Sequence, residues 1–266
     1  MKTILLSMLV LGVIGGIFGA LLAFASKIFR VEVDPKQEKV RAALAGANCG
    51  GCGYPGCDGY AAAVARGEAP TNKCVAGGAA TAAAVAEIMG VTAGASEKMV
   101  AFVPCSGTEG HAEMRFNYTG PKDCRAAMLF GGKSNKTCTF ACIGLGNCTR
   151  ACKFDAIHIV EGIAQVDRSK CVGCGACAEA CPKSIIKLLP ASQRVAPGCS
   201  NKDKGAKVMK MCDYGCIGCM KCQRECPADA IKVVDNLAVV DSEKCVACGH
   251  CADVCPRQVI RWFEKA

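Results

Sequence analysis

In the run CVGCGACAEACP, Cys171, Cys174, Cys177 and Cys181 are separated by two, two and three residues, and Pro182 closes it. CVACGHCADVCP repeats the spacing at Cys245, Cys248, Cys251 and Cys255, again before a proline, Pro256. Thiolates at such intervals are ligands for soft metals. Three close cysteines can wrap one iron–sulfur cube while the fourth reaches a second cube, and the proline stiffens the exit. Zinc also uses paired CxxC units, but its ribbons part the two ligand pairs by a longer spacer. Tight four-cysteine runs before a proline therefore point to [4Fe–4S] clusters.

These runs sit in a longer duplication. CKFDAIHIVEGIAQVDRSKC from Cys152 aligns with CPADAIKVVDNLAVVDSEKC from Cys226, an offset of 74 residues. The same offset relates Cys138 to Cys212, Cys142 to Cys216, Cys148 to Cys222, Cys171 to Cys245 and Cys181 to Cys255. AIHIVEGIAQVD and AIKVVDNLAVVD alternate apolar residues around a turn and read as strand pairs. In the second copy the spacing assigns Cys216, Cys219, Cys222 and Cys255 to one cluster. Cys226, Cys245, Cys248 and Cys251 take its neighbour.

The first copy departs from that pattern. Leu145 stands where Cys219 would fall, and Lys153 replaces the proline that follows Cys226. Cys138 is the nearest spare thiol, so the expected ligands are Cys138, Cys142, Cys148 and Cys181. Cys152, Cys171, Cys174 and Cys177 form the other set. Four cysteines are left over, Cys105, Cys124, Cys199 and Cys212. They suggest a sixth centre where the two repeats meet. Because Cys212 is the equivalent of Cys138, the division of labour between those two stays open. Buried free thiols are the plain alternative, since cysteine packs well as a small hydrophobe.

A further set lies upstream in LAGANCGGCGYPGCDGYAAAVARGEAPTNKC, residues 44–74, where Cys49, Cys52, Cys57 and Cys74 are the candidate ligands. The glycines let backbone fold tightly over a cluster. Ala61–Ala65 and Ala79–Ala86 are good helix formers. A small helical domain over one [4Fe–4S] cluster is expected, with a zinc knuckle as the rival by ligand type.

The elements that must hold these thiols follow from composition. The chain has 24 cysteines in 266 residues and only 5% aromatics. That is too little bulky apolar mass for one large core, so several metal-stapled modules are expected. The formal charge of +9 counts cysteines as neutral. Six four-iron clusters, each about −2 with its thiolates, bring the balance to about −3. No basic run interleaves with aromatics, so no nucleic-acid partner is expected. His111, His158 and His250 share no ligand spacing, and no phosphate loop or dinucleotide fingerprint follows a strand. No catalytic residue, NAD or flavin is expected on this chain.

Residues Thr3 to Phe29 carry no charge before Lys27, a length that suits a transmembrane helix. A cleaved signal peptide is the rival, with Ala23-Phe24-Ala25 as its small-residue site. Lys27 and Arg30 after the span, against Lys2 before it, place the cluster domains on the cytoplasmic side of a single-pass anchor. A reduced compartment also argues against a disulfide framework. Gly12 with Gly16, and Gly15 with Gly19, form GxxxG pairs suited to helix packing, although glycine is common in membrane helices. VEVDPKQEKV, residues 31–40, reads as a flexible tether.

An amino-terminal anchor, the NCGxCGxxxC…C motif of residues 48–74 and ferredoxin-like repeats together resemble the B subunit of the Rnf complex, over essentially the whole chain. The form with two dicluster repeats is similar to that of anaerobic bacteria. The resemblance implies an electron-relay subunit of an ion-pumping ferredoxin:NAD oxidoreductase in the cytoplasmic membrane. Soluble ferredoxin is the implied donor, other Rnf subunits the partners, and Na+ or H+ the pumped ion. A related complex that reduces a redox-sensing transcription factor is an alternative destination, and a purely structural metal scaffold is an alternative role. The expected fold is α+β: anchor 1–30, linker 31–40, four-cysteine [4Fe–4S] domain 41–95, and ferredoxin-like repeats 96–198 and 199–266. Five clusters are assigned, with a sixth at the leftover thiols.

Overall fold

The 74-residue offset is a structural repeat. In the computed structural model, which describes residues 2–28, 34–94, 97–131 and 134–263, two hairpins have the same register. β2 (Ile157–Val160) pairs antiparallel with β3 (Ile163–Val166), Ile157 facing Val166. Further along, β6 (Ile231–Val234) pairs with β7 (Leu237–Val240), Ile231 facing Val240. Burial alternates identically in both, as two-residue periodicity requires when one sheet face is covered. At the turn between β2 and β3, a Cβ on Gly144 would stand 2.3 Å from the Gly162 carbonyl oxygen, and Gly144 has φ +82°. Only glycine fits there.

Each hairpin joins a second strand pair. β1 (Met99–Phe102) pairs with β4 (Lys187–Pro190), and β5 (Val195–Pro197) with β8 (Ile260–Trp262). β5 thus belongs to the second repeat, a few residues ahead of the expected boundary at 199. Short helices carry ligand-motif cysteines: α6 (Asn147–Ala151) and α7 (Ala176–Ala180) in the first repeat, α9 (Lys221–Arg224) and α10 (His250–Asp253) in the second. Two more helices lie between the motifs, α5 (Cys124–Gly131) and α8 (Gly205–Met209). Val100, Ile157, Ile163 and Ile186 pack with Cys142, Cys148, Cys171 and Cys177 in the first core. Val195, Ile231, Leu237 and Ile260 pack with Cys216, Cys222 and Cys251 in the second. Thiols make up a large part of both cores, as the aromatic-poor composition requires.

The amino-terminal domain is helical. α2 (Pro35–Ala43), α3 (Gly56–Ala65) and α4 (Gly78–Met89) enclose Val40, Tyr60, Val64 and Val85. Half of the expected linker is therefore part of this domain. Asp34 caps α2 by accepting from the Lys36 N–H, Pro35 stands in the first turn, and Val40 is fully buried. Residues 31–33 lie outside the described residues.

α1 (Lys2–Ile28) is a helix of 27 residues. Among the described residues, no helix is long and apolar enough to cross a membrane. The expected transmembrane anchor over residues 1–30 is accordingly not shown.

Candidate metal centres

The two repeats differ where the sequence does. In the second, Cys216, Cys219, Cys222 and Cys255 line one cavity of about 330 Å³, and Cys226, Cys245, Cys248 and Cys251 line another of about 350 Å³. Both groups agree with the spacing. In the first repeat, Cys152, Cys171, Cys174 and Cys177 line a cavity of about 340 Å³, again as expected.

Its companion cavity, about 360 Å³, is lined by Cys142, Cys148, Cys181 and Cys124, in place of the expected Cys138. α5 delivers Cys124. The Asn147 side chain accepts from the Cys124 N–H at 2.8 Å and donates to Asp123 at 3.0 Å, tying the start of α5 to α6. Leu145, at the position equivalent to Cys219, packs with Ile143 against Cys124 and Ala127. The residue that replaced the local thiol thus supports the helix that supplies a distant one.

Cys138 lies instead with Cys105, Cys199 and Cys212 around a cavity of about 360 Å³ between the repeats. Each repeat gives two thiols. Cys105 and Cys199 follow β1 and β5, while Cys138 and Cys212 are the 74-residue equivalents. An isolated bridge between Ala112 and Cys212 joins the halves. Of the four leftover thiols, three thus lie together at the junction, with Cys138 in the place expected of Cys124.

Near the amino terminus, Cys52, Cys57 and Cys74 pack against the Tyr60 core. The Asn48 side chain accepts from the Cys57 N–H at 2.8 Å, fixing the backbone next to Cys49. The Tyr60 hydroxyl donates to Pro70 and accepts from the Lys73 N–H, which anchors the segment bearing Cys74.

The sulfurs have the surroundings that a cluster needs. Backbone N–H groups of Ala101, Ala156, Ala164, Ala230 and Val259 point at Cys171, Cys152, Cys142, Cys226 and Cys255 at 3.3–3.5 Å. Burial pushes the Cys142 thiol up to about 11 and that of Cys148 up to about 12, with neighbouring thiols adding to both. Four such groups carry their charge together only around a cationic core. A single ion would need four donors about 2.3 Å from one point. Among the described residues no three potential ligands converge so closely. The thiols surround spaces, and sulfur-only sets of four fit [4Fe–4S] clusters.

The groups also adjoin one another. Burial raises the Cys174 thiol, and Cys49 of the amino-terminal group adds to the push. Cys177 acts likewise on Cys148, and Cys251 on Cys222. At the junction the Cys142 N–H donates to Cys105 Sγ at 3.4 Å. On the other side, Cys216 adds to the upward push of burial on the Cys199 thiol. The amino-terminal domain docks through Gly51, where a Cβ would lie 2.9 Å from Cys174 Cα. Lys153, the departure from proline, donates to the Asn48 carbonyl at 2.9 Å across that contact.

Sulfur-lined cavities on a duplicated hairpin frame define a multicluster iron–sulfur protein of the ferredoxin type. Family models agree: “Putative Fe-S cluster” matches residues 44–76, “4Fe-4S binding domain” residues 164–187 and “4Fe-4S dicluster domain” residues 215–259. The chain is 49% identical to the B subunit of the Na(+)-translocating ferredoxin:NAD(+) oxidoreductase complex of Acetobacterium woodii, over 98% of this chain and 78% of that one. It is 43% identical to the proton-translocating counterpart of Clostridium ljungdahlii, over 98% and 93%. With the B subunit of the ion-translocating oxidoreductase complex of Methanosarcina acetivorans it shares 40% over 96% of each chain. The chain belongs to this family of Rnf-complex B subunits, and is an electron-transfer subunit carrying [4Fe–4S] clusters.

Proposed function

We propose that this chain accepts electrons from reduced soluble ferredoxin and relays them along one unbranched row of six [4Fe–4S] clusters. The recipients are other subunits of the complex, which couple NAD+ reduction to transport of Na+ or H+. A bound cluster supplies one-electron transfer with little change in geometry. The observation that carries the reading is the cavity shared by Cys105, Cys138, Cys199 and Cys212. Without a centre there, the clusters of the two repeats have no thiol-bound link between them.

The ligand sets, in row order, begin with Cys49, Cys52, Cys57 and Cys74. Next come Cys152, Cys171, Cys174 and Cys177, then Cys124, Cys142, Cys148 and Cys181. The junction set is Cys105, Cys138, Cys199 and Cys212. Cys216, Cys219, Cys222 and Cys255 follow, and Cys226, Cys245, Cys248 and Cys251 end the row. The two exposed ligand cysteines, Cys219 and Cys248, belong to the second repeat, which favours that end for ferredoxin docking. At the opposite end the short segment after α1 favours delivery near the membrane.

For anchoring in the cytoplasmic membrane, support comes from α1. Its 27 residues extend about 40 Å at 1.5 Å per residue, beyond the ~30 Å hydrocarbon core. Leu11, Ile17, Phe18, Leu22 and Phe24 are exposed along it. Lys27 follows the apolar run and, with Arg30, favours cluster domains in the cytoplasm.

The test is rapid mixing of reduced ferredoxin with the anaerobic full-length chain and with its Cys199→Ala/Cys212→Ala variant. In the variant, the second-repeat clusters should bleach at the usual rate while those upstream lag. Equal rates for all remaining clusters would refute the row.

A further inference from the structure

Lys136 is 1% exposed. Its ammonium donates to the carbonyl oxygens of Gly107 at 2.8 Å and Gly162 at 2.9 Å. Arg261 approaches the same loop from elsewhere, donating to the Cys105 carbonyl at 2.8 Å and the Ser106 hydroxyl at 3.0 Å. Among the described residues, neither cation pairs with a carboxylate. A buried cation without a counter-charge is strongly unfavourable, so compensating negative charge must stand near.

The loop these cations grip supplies it. A Cβ on Gly107 would lie 3.4 Å from Cys212 Sγ and 3.9 Å from Cys105 Sγ, so both cations bond to peptide groups against the junction sulfurs. Asn201, 2% exposed, adds an N–H to Cys199 and its side-chain amide to Cys138, both within 3.4 Å.

We propose that Lys136 and Arg261 are the built-in counter-charges of the Cys105–Cys138–Cys199–Cys212 centre, and that they raise its reduction potential. This rests on the six-cluster reading above. When the centre takes one electron from a reduced neighbour, its net charge changes from about −2 to about −3, with no bond broken and no proton taken up. Fixed cations in a water-poor site favour the more negative state. They therefore make the junction a sink that draws electrons across the boundary between repeats. Both act through position and charge, without touching the iron.

The experiment is an EPR-monitored redox titration of anaerobic full-length chain, with iron counted in each sample. The junction component is the one missing from Cys199→Ala/Cys212→Ala. Lys136→Met should lower its midpoint by at least a tenfold change in the reduced-to-oxidised ratio, 59 mV for one electron. Lys136→Arg, which keeps the charge, should restore it. Unchanged midpoints at full iron content, or equal shifts in the Met and Arg variants, would overturn the proposal. Should Lys136→Met lose iron, Arg261→Gln reads the same charge, and an unmoved component there overturns it equally. The six-cluster reading fails separately, if the unaltered chain contains only about five clusters' worth of iron.

Discussion

Gly51→Ala tests how the amino-terminal domain is held on the first repeat. The added Cβ would stand 2.8 Å from Val75 Cγ2 and 2.9 Å from both Cα and O of Cys174. Ordinary contact begins at 3.4 Å, so about half an ångström must be found against backbone atoms that do not rotate away. Overpacking of this kind costs about 1–3 kcal/mol, and alanine returns about 0.4–1 kcal/mol by restricting the unfolded chain. The net cost is about 0–2.6 kcal/mol. Across the contact runs an exposed bond from Lys153 to the Asn48 carbonyl, worth about 1 kcal/mol. Docking is thus softer than either domain, and the domains should part slightly with their clusters intact. The assay is EPR of the fully reduced protein, in which neighbouring clusters broaden each other's signals, combined with thermal unfolding. Gly51→Ala should keep its iron, weaken the broadening between the Cys49 and Cys174 clusters, and slow reduction of the former. Wild-type broadening, reduction rate and melting together would refute the docking argument.

Cys124→Ala should lose one cluster, about four iron atoms. Leu145→Cys in the same chain should restore it by recreating the local ligand found at Cys219; iron analysis decides, and no recovery would speak against the equivalence. Val40→Ala should destabilise the chain by about 2 kcal/mol, the burial value of the lost methyls, because Val40 is fully buried under α3 and α4. A change within error on denaturant unfolding would restore the tether reading of residues 31–40. With burial pushing Cys142 up to about 11 and Cys148 up to about 12, both thiols are protonated at pH 8. Reconstitution of the iron-free chain should then release close to one proton from each, and be favoured by rising pH. A weakly buffered indicator assay checks this, and negligible release would mean thiols already ionised.

The duplicated hairpins were legible because strand alternation and the 74-residue offset are both local patterns. The same holds for the thiol groupings that line common cavities in the second repeat and around Cys152, Cys171, Cys174 and Cys177, each of which takes three cysteines from one motif and one from its paired motif. Cys124 was grouped with the leftover thiols of the junction because nothing in its surroundings, KDCRAA, ties it to Cys142, Cys148 and Cys181. Its role depends on the Asp123–Asn147 tie and on Leu145 packing, which are contacts between distant segments. The signal available was the missing thiol at position 145 together with an unassigned cysteine. Equivalence of Cys138 and Cys212 similarly hinted that the two act together, since one site at a pseudosymmetric junction draws equivalent residues from both copies. The linker was misread because charged residues and Pro35 suit both a tether and the first turn of a capped helix. Only the burial of Val40 distinguishes them.

The account depends on thiol groups of four holding iron–sulfur cubes at every one of the 24 cysteines. Iron and acid-labile sulfide, measured per chain on anaerobically purified full-length protein, test this most directly. About 24 of each are expected. About 20 of each would leave the junction thiols free, and a zinc-loaded protein without sulfide would contradict the account entirely.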